Sequence, residues 1–98
     1  MNIEIKKIIE DAIIDVSGRL DTITAPELEK AIEEDLEGIN NLVLDIKGLE
    51  YVSSAGLRVL LAAHKKMSKT GTMKVINVCD EVKEIFNITG FTDILVIE

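Results

Sequence analysis

Hydrophobic positions change period several times along the chain, and each change marks an element. Ile3 and Ile5 alternate with charged residues, and after Glu10-Asp11 the run Ala12-Ile13-Ile14-Asp15-Val16 is again apolar. This pattern predicts two antiparallel strands joined by a tight turn, with Gly18 breaking the second. From Thr24 the period becomes helical. Leu28, Ala31, Ile32 and Leu36 form one stripe, while Glu27, Glu29, Lys30, Glu33, Glu34 and Asp35 mostly face water as a solvated surface. Three start signals agree there: Thr24 as a cap, Pro26 in the first turn where no N–H is needed, and Glu27 placed for a capping box.

Gly38 closes that helix, and Leu42-Val43-Leu44-Asp45-Ile46 is a nearly continuous apolar run of strand length, expected in the sheet interior. Asp45 lies inside this run and reads as pointing to an open face or a sheet edge rather than as a phosphoacceptor or metal ligand. After Tyr51-Val52-Ser53-Ser54-Ala55-Gly56 the period turns helical again, with Leu57, Leu60, Leu61 and His64 recurring until Lys69-Thr70-Gly71 supplies a C-cap. Met73 to Val78 is the next strand. Strand, helix and strand of this length imply a right-handed crossover with the two strands parallel. Asp80 is expected to cap a last helix carrying Val82, Ile85 and Phe86, closed by Gly90, and Ile94 to Ile97 to finish the sheet. The order is β-β-α-β-α-β-α-β. It describes an α/β fold in one domain over residues 1–98, a mixed sheet with an N-terminal antiparallel hairpin and three main helices.

Composition narrows the function. Hydrophobic residues make up 47% of the chain but aromatics only 3%, so the core is built from Ile, Leu and Val. A net charge of −7 opposes binding to a nucleic-acid backbone or to anionic lipid. No apolar run approaches the roughly 18 residues of a membrane span, and the expected setting is cytoplasmic, with the chain monomeric. The single Cys79 can form no internal disulfide and reads as packing at a strand end. With one His and one Cys there is no metal cluster of recognisable spacing, and no phosphate-binding glycine loop occurs; no cofactor is expected.

The remaining chemistry lies in Ser53-Ser54, where strand gives way to helix. A helix start leaves backbone N–H groups unpartnered and carries partial positive charge, so it holds a serine as a cap or favours a negative group placed on it. One serine suffices to cap. The second is followed by Ala55 and Gly56, small residues that would leave the peptide open to a partner. On that reading Gly56→Arg should weaken capture of a partner while sparing the fold. A hydrolase would use one of these serines as nucleophile, in a setting like a nucleophile elbow. His64, however, lies ten residues along the same helix from Ser54, about 15 Å at roughly 1.5 Å per residue, whereas a general base must come within about 3 Å.

Leu42-Val43-Leu44-Asp45-Ile46, Tyr51-Val52-Ser53-Ser54-Ala55-Gly56-Leu57 and the helix after them resemble the signature of the STAS domain family, sulfate transporter and anti-sigma factor antagonist. The likeness is greatest to the small free-standing anti-sigma factor antagonists. Gly18-Arg19-Leu20-Asp21 and Thr24-Ala25-Pro26-Glu27-Leu28 resemble that family's first turn and helix, so the resemblance spans nearly the whole chain. It implies a binding protein rather than an enzyme, phosphorylated on Ser54 in the motif Asp-Ser-Ser/Ala/Thr-Gly-Leu; here Ser53 stands where the family has aspartate. It further implies a partner surface at Asp21, Thr22, Ser53, Ser54, Ala55, Gly56 and Arg58. The implied partners are an anti-sigma factor serine kinase using ATP and a serine phosphatase. Two readings compete: a STAS module serving as a structural or adaptor subunit of a transporter or signalling assembly, its serines only capping the helix, and a small hydrolase.

Overall fold

The alternation at the N-terminus becomes a hairpin. In the computed structural model, which describes every residue from Met1 to Glu98, β1 (Asn2–Ile8) pairs antiparallel with β2 (Asp11–Leu20), Ile3 facing Val16 and Ile5 facing Ile14. Then follow α1 (Ala25–Asp35), β3 (Asn41–Val52), α2 (Ser54–Ser68), β4 (Thr72–Ile76) and α3 (Asp80–Thr89). The sheet order is β1-β2-β3-β4, with β3 parallel to both β2 and β4, so Leu42–Ile46 lies in the sheet interior as expected. Each parallel pair is joined through a helix.

One face of this sheet is buried and the other is not. Ala12, Ile14 and Val16 of β2, Leu42, Leu44 and Ile46 of β3, and Met73 and Val75 of β4 join a single hydrophobic core with Leu28 and Ile32 of α1, Leu60 and Ala63 of α2, and Val82 and the one buried aromatic, Phe86, of α3. The intervening positions Ile13, Asp15, Val43, Asp45, Lys74 and Ile76 are exposed or half-exposed. All three helices therefore pack on the same side, as successive right-handed crossovers in one direction require. Asp45 does face the open side, where its carboxylate accepts from Lys47 N at 3.1 Å and from Asn77 Nδ2 at 3.0 Å.

Three expectations are corrected. Gly18 does not end β2: it takes a positive φ and the strand runs on to Leu20, across a register shift in which β3 carries the extra residue, Glu50. Ile94–Ile97 does not form a strand. Ile94 ends a 3₁₀ turn (Phe91–Asp93), and the tail meets the sheet in one parallel bridge, Val75 with Ile97, flanked by backbone bonds from Val75 N to Val96 O and from Glu98 N to Val75 O. Asp80 does not cap α3; Cys79 holds the cap position without a capping bond, and its thiol donates to Leu49 O at 3.3 Å.

Gly71 closes the α2–β4 connection, its N–H bonded to Met67 O, and a Cβ built on it would stand 1.7 Å from Asn40 O. A backbone oxygen of a neighbouring connection cannot step aside as a side chain can. Gly71→Ala is expected to destabilise the fold by about 3 kcal/mol or more, read as a fall in the midpoint of chemical denaturation. Gly38→Ala, where a Cβ meets nothing within 4 Å, is expected to carry only the smaller strain of its positive φ.

Candidate functional site

Two turns meet at the C-terminal ends of parallel β2 and β3, where open α/β sheets present their ligand sites. The first is Leu20–Thr24, leading into α1; the second is Val52–Gly56, leading into α2. Ser53 N donates to Leu20 O at 2.8 Å and locks one to the other. Gly56 packs beneath this bond, where a Cβ would lie 2.7 Å from Leu20 Cγ and 3.0 Å from Leu20 O. Gly56 is thus buried against the neighbouring turn and not open to a partner. Gly56→Arg would disturb the fold, contrary to the expectation from sequence.

The first turn is fixed by a capping box one helical turn earlier than expected. Asp21 Oδ1 accepts from Ile23 N and Thr24 N, both at 3.0 Å, while Asp21 N donates to Thr24 Oγ1 at 2.9 Å. Asp21 and Thr24 therefore satisfy one another's orphan donors, and Thr24 with Glu27 does not. Thr24 Oγ1 donates in turn to Arg19 O at 2.6 Å. The Thr24 amide foremost, then the Ile23 amide and the nearby Arg19 charge, hold the Asp21 carboxyl below its ordinary range.

The paired serines divide their work. Ser53 has extended backbone and caps α2, its Oγ accepting from Gly56 N at 3.3 Å. Ser54 is the first residue of the helix, exposed, and its hydroxyl bonds to nothing. Around it stand the other residues singled out in the sequence. Thr22, Ala55 and Arg58 share a shallow cleft with Pro26 and Glu29 of α1, and Asp21 lies in the adjoining turn. All seven are brought to one end of the sheet. Two features escaped the sequence: Ile23, 84% exposed at the tip of the first turn, and Arg19, whose guanidinium carbon stacks 4.4 Å over the ring of its cross-strand neighbour Tyr51. An isoleucine inside Asp-Thr-Ile-Thr was the available signal for the first.

The two turns form one surface on which the Ser54 hydroxyl stands free, and comparison with known proteins gives the family. Residues 2–98 match the model of the STAS domain. The chain belongs to the STAS domain family. Among its relatives, the anti-sigma-B factor antagonist of Listeria monocytogenes is 34% identical over 102 aligned positions, taking in 100% of this chain and 89% of its own. The anti-sigma-B factor antagonist of Bacillus subtilis is 29% identical over 96, covering 97% and 88%. The crystal structure of an anti-sigma factor antagonist from Mycobacterium paratuberculosis superposes with a TM-score of 0.87 at 26% identity, over 98% of this chain and 83% of that one. No helix of the STAS fold seen here is long and apolar enough to cross a membrane.

The division between the serines has a measurable signature. Ser53→Ala is expected to cost about 1 kcal/mol through loss of the cap, while Ser54→Ala leaves the melting temperature near wild type. The Asp21 box has its own signature in pH. Because the folded carboxyl is held below its unfolded value, its stabilisation is present above the unfolded value and is lost as pH falls through the folded one. Asp21→Asn is therefore expected to melt below wild type at neutral pH, and the gap to narrow in thermal scans run at successively lower pH below about 4.

Proposed function

We propose that this STAS domain is an anti-sigma factor antagonist worked by a phosphate on Ser54. Unmodified, it captures a kinase-type anti-sigma factor and so frees a sigma factor; phosphorylated, it lets the partner go, and a serine phosphatase resets it. In the modifying step Ser54 Oγ attacks the γ-phosphorus of ATP on the partner kinase. The bond to the ADP oxygen breaks, and the hydroxyl proton leaves to a base of the kinase or to water. The domain supplies only the acceptor.

The observation that carries this reading is the separation of capping from reactivity: Ser53 holds the helix start while Ser54 stands exposed with an uncommitted hydroxyl. Ser54 can thus gain a phosphate without the helix losing its cap. The standing of Ser53 where the family has aspartate is consistent with this, because both residue types cap well.

Magnitudes favour an effect at the interface. A phosphate adds about −1.5 to −2 charges at the N-terminus of α2, where the dipole favours negative charge by about 0.3–1 kcal/mol, so the fold is kept. Against a partner surface fitted to a neutral hydroxyl, an uncompensated charge costs several kcal/mol, and each 1.4 kcal/mol is about tenfold in affinity.

Incubation with ATP and a kinase-type anti-sigma factor, followed by mass spectrometry, is expected to find phosphate on Ser54 in wild type and in Ser53→Ala, and none on Ser54→Ala, which still binds. In calorimetry Ser54→Asp is expected to bind roughly a hundredfold more weakly, with circular dichroism and melting near wild type. Phosphate on Ser53, or Ser54→Asp binding as tightly as wild type, would overturn the assignment. No phosphate with any such kinase would return the chain to the adaptor reading.

A further inference from the structure

The end of the sheet that carries Ser54 holds two arginines in very different states. Arg19 is committed: its guanidinium lies over the Tyr51 ring at 4.4 Å, and its charge acts on Asp21. Arg58 is not. It is exposed on α2 and makes no hydrogen bond; the chain's ion pairing is confined to Lys74 with Glu98, on the far strand and tail. Glu29 of α1 lines the same cleft but does not reach Arg58. The Asp21 carboxylate in the adjoining turn is engaged by Ile23 and Thr24.

Arg58 follows Ser54 by four residues on a regular helix, so the two side chains are neighbours on one face, with Cβ atoms about 5–6 Å apart. The order is the favourable one, an anionic group N-terminal to a cationic one. We propose that Arg58 is the internal receptor of the Ser54 phosphate, folding its guanidinium back along α2 onto the modified side chain. This rests on the phosphoswitch reading and adds its regulation. The phosphate then does two things at once: it places negative charge on the platform and withdraws the one uncommitted guanidinium that the platform offers a partner carboxylate. Guanidinium and phosphate oxygens match in a two-pronged hydrogen-bonded pair, and phosphate is also met by the Ser54 and Ala55 amides, which the capping bonds to Gly56 and Leu57 leave without acceptors.

The test needs neither the kinase nor the sigma factor. Phosphoserine is installed at position 54 of the full chain during synthesis, and its second ionisation, about pH 6 when unperturbed, is followed by phosphorus NMR in wild type, Arg58→Gln, Arg58→Lys and Glu29→Gln. A neighbouring cation favours the doubly ionised form, so Arg58→Gln is expected to raise the half-titration point by about half a pH unit. Arg58→Lys should restore most of the wild-type value, and Glu29→Gln should leave the Arg58 effect in place. Equal titration of wild type and Arg58→Gln would overturn the proposal. Failure of an anti-sigma kinase to modify Ser54 would count against the function proposed above, yet would leave the phosphoserine titration and its dependence on Arg58 unchanged.

Discussion

The hydrogen bond from Ser53 N to Leu20 O is the tie on which the platform depends. It carries the β2–β3 ladder one bond beyond the Leu20–Val52 pair and into the turns. With it, the start of α1 and the start of α2 form a single surface, and Gly56 is drawn so close to Leu20 that no side chain fits between them. The register shifts between β2 and β3 serve the same end. They let β3 gain residues on β2, with Gly48 tight against Ser17, so that Val52 arrives beside Leu20 and the serine turn lies against the aspartate turn.

A platform held this way suits a switch that acts by charge alone. Its rigidity comes from backbone bonds and from a hydrophobic core that contains no buried polar or charged residue. A group added at Ser54 has nothing beneath it to displace. The helix start would tolerate the added charge, because the cap is on Ser53 and the Asp21–Thr24 box holds the facing turn independently of Ser54. On the proposed function, what would change is the electrostatic character of the surface and not the fold.

The strands, the three helices, the parallel crossovers and the serine-bearing helix start were legible because each rests on local periodicity or on a cap written in adjacent residues. The errors fall where two signals compete or where tertiary spacing decides. Thr24-Ala25-Pro26-Glu27 imitates a capping box convincingly, yet Asp21 already holds the Thr24 amide and the Glu27 amide bonds to the Thr24 backbone oxygen, which leaves that box nothing to close. The smallness of Gly56 was plain in the sequence, but only the fold shows that it serves contact with Leu20 and not access from outside. Ile94–Ile97 has strand composition, but the tail leaves a 3₁₀ turn at Ile94 with room to meet β4 only around Val75. The uncommitted state of Arg58 was legible in neither pattern nor spacing, because it depends on what Arg19, Asp21 and Glu29 do in space.

The uncovered face of the sheet has its own logic. Glu4, Asp15 and Asp45 stand directly opposite one another across β1, β2 and β3, each on the side away from the helices. Like charges in cross-strand register cost the fold some stability. Beside them lie Ile13, exposed, and Val43 and Ile76, half-exposed. The ladder therefore concentrates negative charge on the one side of the sheet that no helix covers, with Lys6 and Lys74 flanking it on the same face.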